Sequence, residues 1–502
     1  MGILIHPWDI KDEGIETVTE TLAGLGFDSV FIAANAPAEE HPPQPVDARL
    51  THNPKRKRYV SEEGRFYYQL DPSYYVNSIA TPRRSSDGDL AGYDAFSEID
   101  SFRENGLKPY AWLTALHNGQ FVHESPELAV VDIVGEADQN WMCPSNPNVA
   151  IQMLESVNEI QRRYDLQGII LDNFWWKYPH TYMTSLESGM VCFCEHCQQR
   201  MDSLGIDVRD LRKALAQIPR AVRNLTVSGI RNIGDVDCGP LLECVGLTRT
   251  EAGGYADVMG DLFENPERRT KIGELGKNDP LGIFQWFAEN PIIFDWFDMK
   301  ADALLDILKA VQELTRANDP GFELGLMIWS PRSSWSVCQS YRKLRNACDW
   351  MMPMAYNKLW GWYSSYVAEE LFEIVHPKTP KLFASYKNIL KAWFKLAGYT
   401  SRPLKSLVYT GLAPSHVGKE LTRARELAGD ETVIYAGAQA WEPGSRIPHP
   451  DEIAESIEIS LKSGVDGLIV QAYGWAPMPN LIAAGRIIQR CLSDQNLPES
   501  SP

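Results

Sequence analysis

The sequence predicts an α/β fold, a single (β/α)8 TIM barrel with a long loop after its second strand and a helical insertion after its fourth. Eight short apolar runs alternate with segments of helical periodicity, and no break in composition separates them. A doubly wound sheet would normally carry a glycine-rich turn after its first strand, and His6-Pro7-Trp8 is not such a turn. The barrel is therefore preferred over the doubly wound sheet.

The predicted strands are continuous apolar runs rather than alternating ones, which is typical of parallel strands buried on both faces. The clearest of these apolar segments extends from Gln167 to Leu171, where a glycine precedes three branched aliphatic residues. In chain order, the strands are predicted at 3–5, 27–33, 109–116, 167–171, 322–329, 350–356, 431–441 and 466–473.

The segments between these strands predict helices and two long connections. Helix 15–25 is closed by Gly24 and Gly26. The Pro-, Tyr- and Arg-rich loop 35–89 is long enough to predict a functional role, as one wall of a cleft. Further helices are predicted at 96–105, 147–164, 296–315, 335–346 and 450–463.

One catalytic domain is predicted for residues 1–492, with a flexible tail at 493–502. The helical insertion, 200–290, leaves the barrel beside the fourth strand. Insertions at that face usually shape the substrate cleft or contact a second subunit, so a homo-oligomer formed through this segment is one expectation.

Composition narrows the partners and the compartment. A net charge of −18 argues against nucleic acid, because phosphate binding needs a basic face. No run of about 18 apolar residues is present, so no membrane segment is expected. The first residues lack the features of a signal peptide, which predicts a cytoplasmic protein. Nine cysteines, several closely spaced, favour a reducing compartment and a metal site over disulfides.

In a barrel, the side chains just past each strand line the active site. Here nearly every strand ends in an aromatic residue or an amide. Aromatic faces stack on the C–H surfaces of sugars and amides bind hydroxyls, so a carbohydrate site is predicted. The predicted substrate-binding residues are His6, Trp8, Asp9, His117, Asn118, Asn173, Trp175, Trp176, Trp329, Arg332, Tyr356, Gln439, Trp441, Gln471 and Tyr473.

Three carboxylates stand at these strand ends: Asp9, Asp172 and Glu442. Glycoside hydrolysis needs two carboxyl groups that flank the scissile bond. Asp172 and Glu442 follow the fourth and seventh strands, which face each other across the barrel, so they are the predicted catalytic pair. Asp172 is assigned as nucleophile and Glu442 as acid/base, the reversed assignment is left open, and Asp9 is the reserve.

Two other functions fit the same residues. A sugar-binding barrel without hydrolysis would explain why carboxylates are scarce at the strand ends. A lyase or isomerase could use His6 or His117 as its base. Acyl or phosphoryl transfer has no support, because neither a Gly-x-Ser-x-Gly elbow nor a phosphate loop is present.

A cluster of cysteines follows the fourth strand. Cys192, Cys194 and Cys197 supply three thiolates, and either Cys143 or His196 could be the fourth ligand. Four thiolates fill the tetrahedral positions of Zn²⁺ and leave none open, which predicts structural rather than catalytic zinc. The alternative is a set of reduced cysteines that binds no metal.

These motifs resemble a known family. Cys143-Pro-Ser-Asn-Pro147, followed by Cys192-Phe-Cys-x-x-Cys197, is similar to the four-cysteine zinc site of family 42 β-galactosidases, which are (β/α)8 barrels. Those enzymes carry a catalytic Asn-Glu pair at the end of strand four and a second glutamate after strand seven. Glu442 falls at the second position, whereas Asp172-Asn173 departs from the Asn-Glu pair.

A second resemblance is to uncharacterised glycoside-hydrolase-like barrels of bacteria. They share the cysteine motifs and the pattern Gly-Leu-x-x-Tyr-Ala-Trp followed by Leu-His-Asn, which spans 106–118 here. The resemblance covers about the first 200 residues. It implies a glycosidase that acts on a carbohydrate and contains structural zinc.

Overall fold

Eight parallel strands close into a barrel in the computed structural model, so the predicted fold class is confirmed. Around the barrel, the strand that begins at Gly2 is followed by those that begin at Ser29, Lys108, Gly168, Glu323, Trp350, Val433 and Gly467, and the last strand pairs with the first. The structure describes residues 1–35, 52–53, 64–86, 90–177, 187–218, 238–247, 254–279, 281–361, 411–441 and 448–495.

All eight predicted strands occur within a few residues of their expected positions. The eight barrel strands are β1 Gly2–Ile5, β2 Ser29–Ala33, β3 Lys108–Thr114, β6 Gly168–Asp172, β7 Glu323–Trp329, β8 Trp350–Met354, β9 Val433–Gln439 and β10 Gly467–Gln471. Two further strands, β4 Ala129–Val131 and β5 Ala137–Met142, form a separate sheet.

Helices occupy most of the connections between strands. In the described residues they are α1 Pro7–Glu13, α2 Ile15–Leu25, α3 Ile99–Glu104, α4 Gly119–Glu124, α5 Pro147–Arg163, α6 Glu195–Ser203, α7 Val208–Leu215, α8 Gly239–Cys244, α9 Tyr255–Glu264, α10 Ile272–Lys277, α11 Ile283–Glu289, α12 Ile292–Asn318, α13 Tyr341–Leu344, α14 Ser415–Ala428, α15 Pro450–Leu461 and α16 Met478–Gln495. None of these helices combines the length and the apolar character that crossing a bilayer requires.

The helix predicted at 335–346 is the clearest difference from expectation. A short 3-10 turn and the single turn of α13 take its place. Cys338 lies between them in the left-handed region, with φ 57°, and this stops a continuous helix. The side chain of Ser340 then accepts a hydrogen bond from the backbone N–H of Lys343 and starts α13.

A β-hairpin that the sequence did not predict lies between β3 and α5. Its strands, β4 and β5, pair antiparallel. Two backbone bonds join it to the end of β3, from Asn118 N to Asn140 O at 2.8 Å and from Met142 N to Leu116 O at 2.9 Å. The hairpin therefore continues the barrel wall at the carboxyl end of β3.

Aromatic rings identify the interior face of the barrel. Phe31 on β2 and Trp350 on β8, which lie on opposite sides, touch with ring centroids 5.8 Å apart. Tyr110 stacks on Phe31, and Tyr435 contacts Trp350. The ring of Trp350 fits because β7 carries Gly325 opposite it, where a Cβ would lie 2.2 Å from the ring. These rings fill the interior near the amino ends of the strands.

Alternation then places other side chains on the same interior face, nearer the carboxyl ends. Trp112 follows Tyr110 by two residues, and Gln439 follows Tyr435 by four. In the strand register, Asp172 pairs with Thr114 and Gln471 pairs with Gln439. Asp172 and Gln471 therefore face the interior too.

Two connections pack against the barrel through buried carboxylates. In the insertion, Glu264 of α9 accepts hydrogen bonds from Ser340 Oγ and from the backbone N–H of Tyr341, both at 2.7 Å. The insertion thus packs on the loop after β7, and its described residues are helices and turns. Glu159 of α5 accepts bonds from the hydroxyls of Tyr68 and Tyr75, which attaches part of the 35–89 loop.

Candidate active site

Asp172 is the last residue of β6, and its carboxylate faces the barrel interior. Oδ2 accepts a hydrogen bond from the indole Nε1 of Trp112 at 2.9 Å. Oδ1 accepts one from the backbone N–H of Asn173 at 2.6 Å. Two N–H donors stabilise the ionised carboxylate over the acid. Asp172 is only 8% exposed, so this anion is largely shielded from water.

Tyr356, just past β8, lies within the field of this anion. Burial, together with the charge of Asp172, raises the pKa of the Tyr356 phenol well above its ordinary value. The hydroxyl has no hydrogen-bond partner among the described residues. Tyr356 therefore stays protonated and offers an unused donor close to Asp172.

Two amide side chains, Gln439 on β9 and Gln471 on β10, occupy paired positions on neighbouring strands. Gln439 Oε1 accepts a hydrogen bond from the backbone N–H of Leu359 at 2.9 Å, whereas Nε2 has no partner in the described chain. On Gln471 the buried atom without a partner in the described chain is Oε1. An unused donor and an unused acceptor on register neighbours match one hydroxyl group, which accepts and donates at once.

A run of aromatic contacts connects Trp112 with the end of β9. His6 contacts the edge of Trp112 and the ring of Trp475, both with centroids 5.1 Å apart. His6 also stacks on Trp8 at 4.3 Å, and Trp475 contacts Trp441 at 5.1 Å. The structure therefore brings the predicted residues His6, Trp8 and Trp441 together, through contacts with Trp112 and Trp475.

The aromatic residues after β6 and β7 form a second group. Trp175 and Trp329 meet with ring centroids 5.8 Å apart, and Trp329 also contacts Trp360 at 4.9 Å. The indole N–H groups of Trp175 and Trp441 have no partner among the described residues. Because unpaired buried donors are costly, these groups are suited to bind a ligand or ordered water.

The second predicted carboxylate, Glu442, lies outside the described residues, and its pairing with Asp172 stays a prediction. The reserve carboxylate, Asp9, is 2% exposed and accepts a hydrogen bond from the backbone N–H of His6 at 2.9 Å. This bond closes the first turn of α1.

The polar groups of two predicted substrate-binding residues bind carboxylates of helices outside the barrel strands. The guanidinium of Arg332 lies 2.9 Å from Asp257 Oδ1 of α9 and 3.3 Å from Glu420 Oε1 of α14. The hydroxyl of Tyr473 donates to Glu13 Oε2 at 2.8 Å. These bonds join the insertion and the loops to the barrel.

Four further predicted residues support the hairpin and the segment after β6. His117 stacks on Trp141 of β5 with centroids 4.3 Å apart. Asn118 caps α4 by accepting a hydrogen bond from Phe121 N. Trp176 is fully buried, with its indole N–H on the backbone oxygen of Lys300 at 2.8 Å. Asn173, with φ 50°, turns the chain directly after Asp172.

The four cysteines form one cluster. Their sulfur atoms all lie within 4.8 Å of one another, and Cys143 Sγ is 3.5 Å from both Cys197 Sγ and Cys194 Sγ. Ligand sulfurs of tetrahedral zinc stand about 3.8 Å apart, given a bond of about 2.3 Å. The donor set therefore fits a metal ion, and in the described chain it consists of the four thiols without His196. Burial raises the pKa of the Cys143 thiol well above its ordinary value.

The hairpin that carries Cys143 also holds the segment after Asp172. The indole N–H of Trp141 donates to the backbone oxygen of Trp175 at 3.1 Å. Asp138 forms an ion pair of 2.5 Å with Lys177. The cysteine cluster thus fastens a hairpin that contacts this segment twice.

Helix α12 adds a third attachment through Lys300. Its ammonium group donates to the backbone oxygen of Val191, next to Cys192, at 2.8 Å. Its own backbone oxygen accepts the bond from Trp176. One buried lysine therefore connects the cysteine loop with the segment that follows the candidate nucleophile.

Trp112 is the residue that sequence reasoning missed. The predicted site residues lie at or just past the strand ends, whereas Trp112 lies inside β3. The available signal was its spacing of two residues from Tyr110, which places both rings on one face.

No protein-family model and no curated protein matches this sequence. The structure is similar to the β-galactosidase from the Antarctic haloarchaeon Halorubrum lacusprofundi, with a TM-score of 0.50 and 12% identity over 100% of this chain and 58% of that one. A β-galactosidase from Marinomonas ef1 gives a TM-score of 0.49 at 10% identity, over 98% and 60% of the two chains. The catalytic domain of the β-amylase from Paenibacillus polymyxa gives 0.47 at 12% identity, over 97% of each chain.

This chain spans 58% of the length of the Halorubrum lacusprofundi enzyme. Identity this low shows a shared fold and nothing finer. The expected likeness to glycoside-hydrolase barrels is thus confirmed for the fold, and family 42 is not singled out.

Proposed function

We propose that the protein is a glycoside hydrolase in which Asp172 is the nucleophile and Glu442 the acid/base. The observation that carries this proposal is the environment of Asp172. Its carboxylate stands at the carboxyl end of a barrel strand, faces the interior and accepts two N–H hydrogen bonds, which favour its ionised form. A nucleophile must be an anion, whereas a general acid must hold a proton, so this environment favours the nucleophilic role.

The proposed reaction proceeds in two displacements. An oxygen of Asp172 forms a bond to the anomeric carbon while the bond to the leaving oxygen breaks, and Glu442 gives that oxygen its proton. Glu442 then removes a proton from water, which attacks the anomeric carbon and releases Asp172. The product keeps the anomeric configuration of the substrate, and proton NMR of the first product formed measures that outcome.

The groups around Asp172 support a carbohydrate substrate. Gln439 and Gln471 together match a hydroxyl, and Tyr356 offers a further donor. The rings of Trp441 and Trp175 supply apolar faces with unused N–H groups.

The test is hydrolysis of a panel of 4-nitrophenyl glycosides, followed by the same assay on Asp172→Asn. We expect kcat/KM to fall by about 10³-fold or more, because the amide cannot form the glycosyl–enzyme bond. Asp165→Asn is the matched control. Asp165 stands just before the same strand, at its other end, and its side chain is 81% exposed and paired with Arg103.

Full activity of Asp172→Asn on a confirmed substrate would discard the site. Binding of glycans without release of reducing sugar, in a folded wild-type protein, would instead establish a sugar-binding barrel.

We also propose that the four cysteines bind one structural Zn²⁺. Elemental analysis of protein purified without chelator should give about one zinc per chain. Cys197→Ser should lose the metal and lower the melting temperature. Cys348→Ser should keep the metal, because Cys348 is buried outside the cluster. A zinc content near zero, with all four thiols titratable in the native state, would overturn the assignment.

We also propose that the protein forms a homo-oligomer through residues 200–290 and that it is cytoplasmic. Light scattering of the purified protein tests the first proposal, and cell fractionation tests the second.

A further inference from the structure

We infer that Trp112 is a positioning residue for the carboxylate of Asp172, an inference that rests on the proposed function. The indole Nε1 donates to Asp172 Oδ2 at 2.9 Å inside the barrel. The backbone N–H of Asn173 holds the other oxygen at 2.6 Å. With a donor on each oxygen, the plane of the carboxylate is fixed before a substrate arrives.

The barrel itself sets the position of this indole. Trp112 lies within β3, in register with Ala33 of β2 on one side and Ile170 of β6 on the other. It is 5% exposed, and His6 packs against its ring with centroids 5.1 Å apart. The donor therefore stands on a paired barrel strand, where the backbone is held on both sides, whereas groups such as Tyr356 and Trp441 follow their strands.

The chemistry of indole suits this task. Its N–H donates but does not accept, and it does not ionise near neutral pH. It can therefore hold Asp172 Oδ2 without competing for the proton that the acid/base transfers. It also stabilises the anion, so its loss should raise the fraction of Asp172 that is protonated at low pH.

The kinetic test uses Trp112→Phe, which keeps an aromatic ring and removes the donor. We expect kcat to fall by about 10- to 100-fold, with KM changed by less than about threefold. The acid limb of the kcat/KM profile should move to higher pH. Trp350→Phe is the matched control: its indole N–H has no partner among the described residues, and it lies at the other end of the interior. It should keep the wild-type profile.

A second measurement needs no substrate. In ¹H–¹⁵N spectra of the full chain, the indole signal that is missing in Trp112→Phe belongs to Trp112. This signal should shift as the pH is lowered and Asp172 takes a proton. In Asp172→Asn it should lose that pH dependence, whereas a merely structural tryptophan would show the same titration in both proteins.

The outcomes separate the two proposals. If Asp172→Asn is inactive and Trp112→Phe keeps the wild-type kcat and pH profile, the role of Trp112 is wrong and the nucleophile stands. If Asp172→Asn is fully active, the proposed function fails. An indole signal that is insensitive to both pH and the Asp172 substitution would overturn the inference by itself.

Discussion

The two ends of the barrel interior are built differently. Near the amino ends of the strands, aromatic rings from opposite strands fill the space and touch one another. There the hydroxyl of Tyr110 donates to Glu323 at 3.1 Å, and among the described residues the Nε1 of Trp350 is unpaired. Near the carboxyl ends, the described residues leave more polar atoms unpaired, on Trp175, Tyr356, Gln439, Trp441 and Gln471.

This difference in unpaired polar atoms suggests that the amino end of the interior serves stability and the carboxyl end serves function. Each unpaired buried polar group costs about 1–3 kcal/mol, so a fold that keeps several of them at one end gives up stability there. The amino end carries this cost at fewer described atoms, of which the Nε1 of Trp350 is one. The amino end should therefore tolerate few changes in volume, and the carboxyl end should gain stability when a polar group is removed.

The largest expected effect is on stability, from Trp350→Ala. Removing this ring, which is 2% exposed, should lower the free energy of unfolding by about 3–5 kcal/mol. Urea denaturation measures the change. The folded fraction should keep the wild-type kcat, and a large loss of kcat in folded protein would contradict the separation of the two ends.

A smaller effect of opposite sign is expected from Tyr356→Phe. The hydroxyl is buried and lacks a partner in the described chain, so its removal should stabilise the fold by about 1 kcal/mol. Activity should fall about tenfold, because an unused donor within the field of Asp172 is lost. A variant that is both less stable and fully active would show that the hydroxyl serves the fold.

The strands were predictable because each is a continuous apolar run, and nearly any parallel strand of a barrel must be one. The hairpin was not, since β5 carries Asp138, Gln139 and Asn140 and reads as a polar loop. Its pairing depends on the end of β3 and on the cysteine cluster, which are long-range contacts.

The sequence predicted at which end of the barrel the candidate site residues lie, but not the directions of their side chains. Among the described residues, those that follow the strands lie at the expected end of the barrel. The direction of each side chain depends on the backbone conformation of the loop. For example, Asn173 has a left-handed backbone conformation that turns the chain, and Trp176 then donates its indole N–H to the backbone oxygen of Lys300. Arg332 likewise follows its strand as expected, yet it binds carboxylates of α9 and α14.

The smallest expected effect concerns His52, which joins the 35–89 loop to the carboxyl end. Its Nε2 lies 2.7 Å from Glu13 Oε1, and its Nδ1 lies 3.0 Å from the backbone oxygen of Ala476. Burial alone would lower the pKa of His52, but the hydrogen bond and charge of Glu13, with the carbonyl of Ala476, raise it above 6.5 overall.

A histidine whose folded pKa is raised stabilises the protein fully below its unfolded pKa, and this contribution is lost as the pH rises through the folded pKa. His52→Gln should therefore remove a pH-dependent contribution of less than about 1 kcal/mol, lost from about pH 6.5 upward. Thermal unfolding at several pH values measures it, with His123→Gln, an exposed site, as control. Equal pH dependence in wild type and His52→Gln would contradict the assignment.

The cysteine cluster has a consequence for how the chain is made. Its four thiols lie between residues 143 and 197, and the barrel strands beside them, β3 and β6, pair directly. Closing the barrel requires β1 to pair with β10, which leaves the ribosome much later. If zinc occupies the cluster, its capture does not have to wait for closure, because the first half of the chain contains all the ligands. Zinc that is present during translation would then have its complete ligand set before the second half of the chain is made.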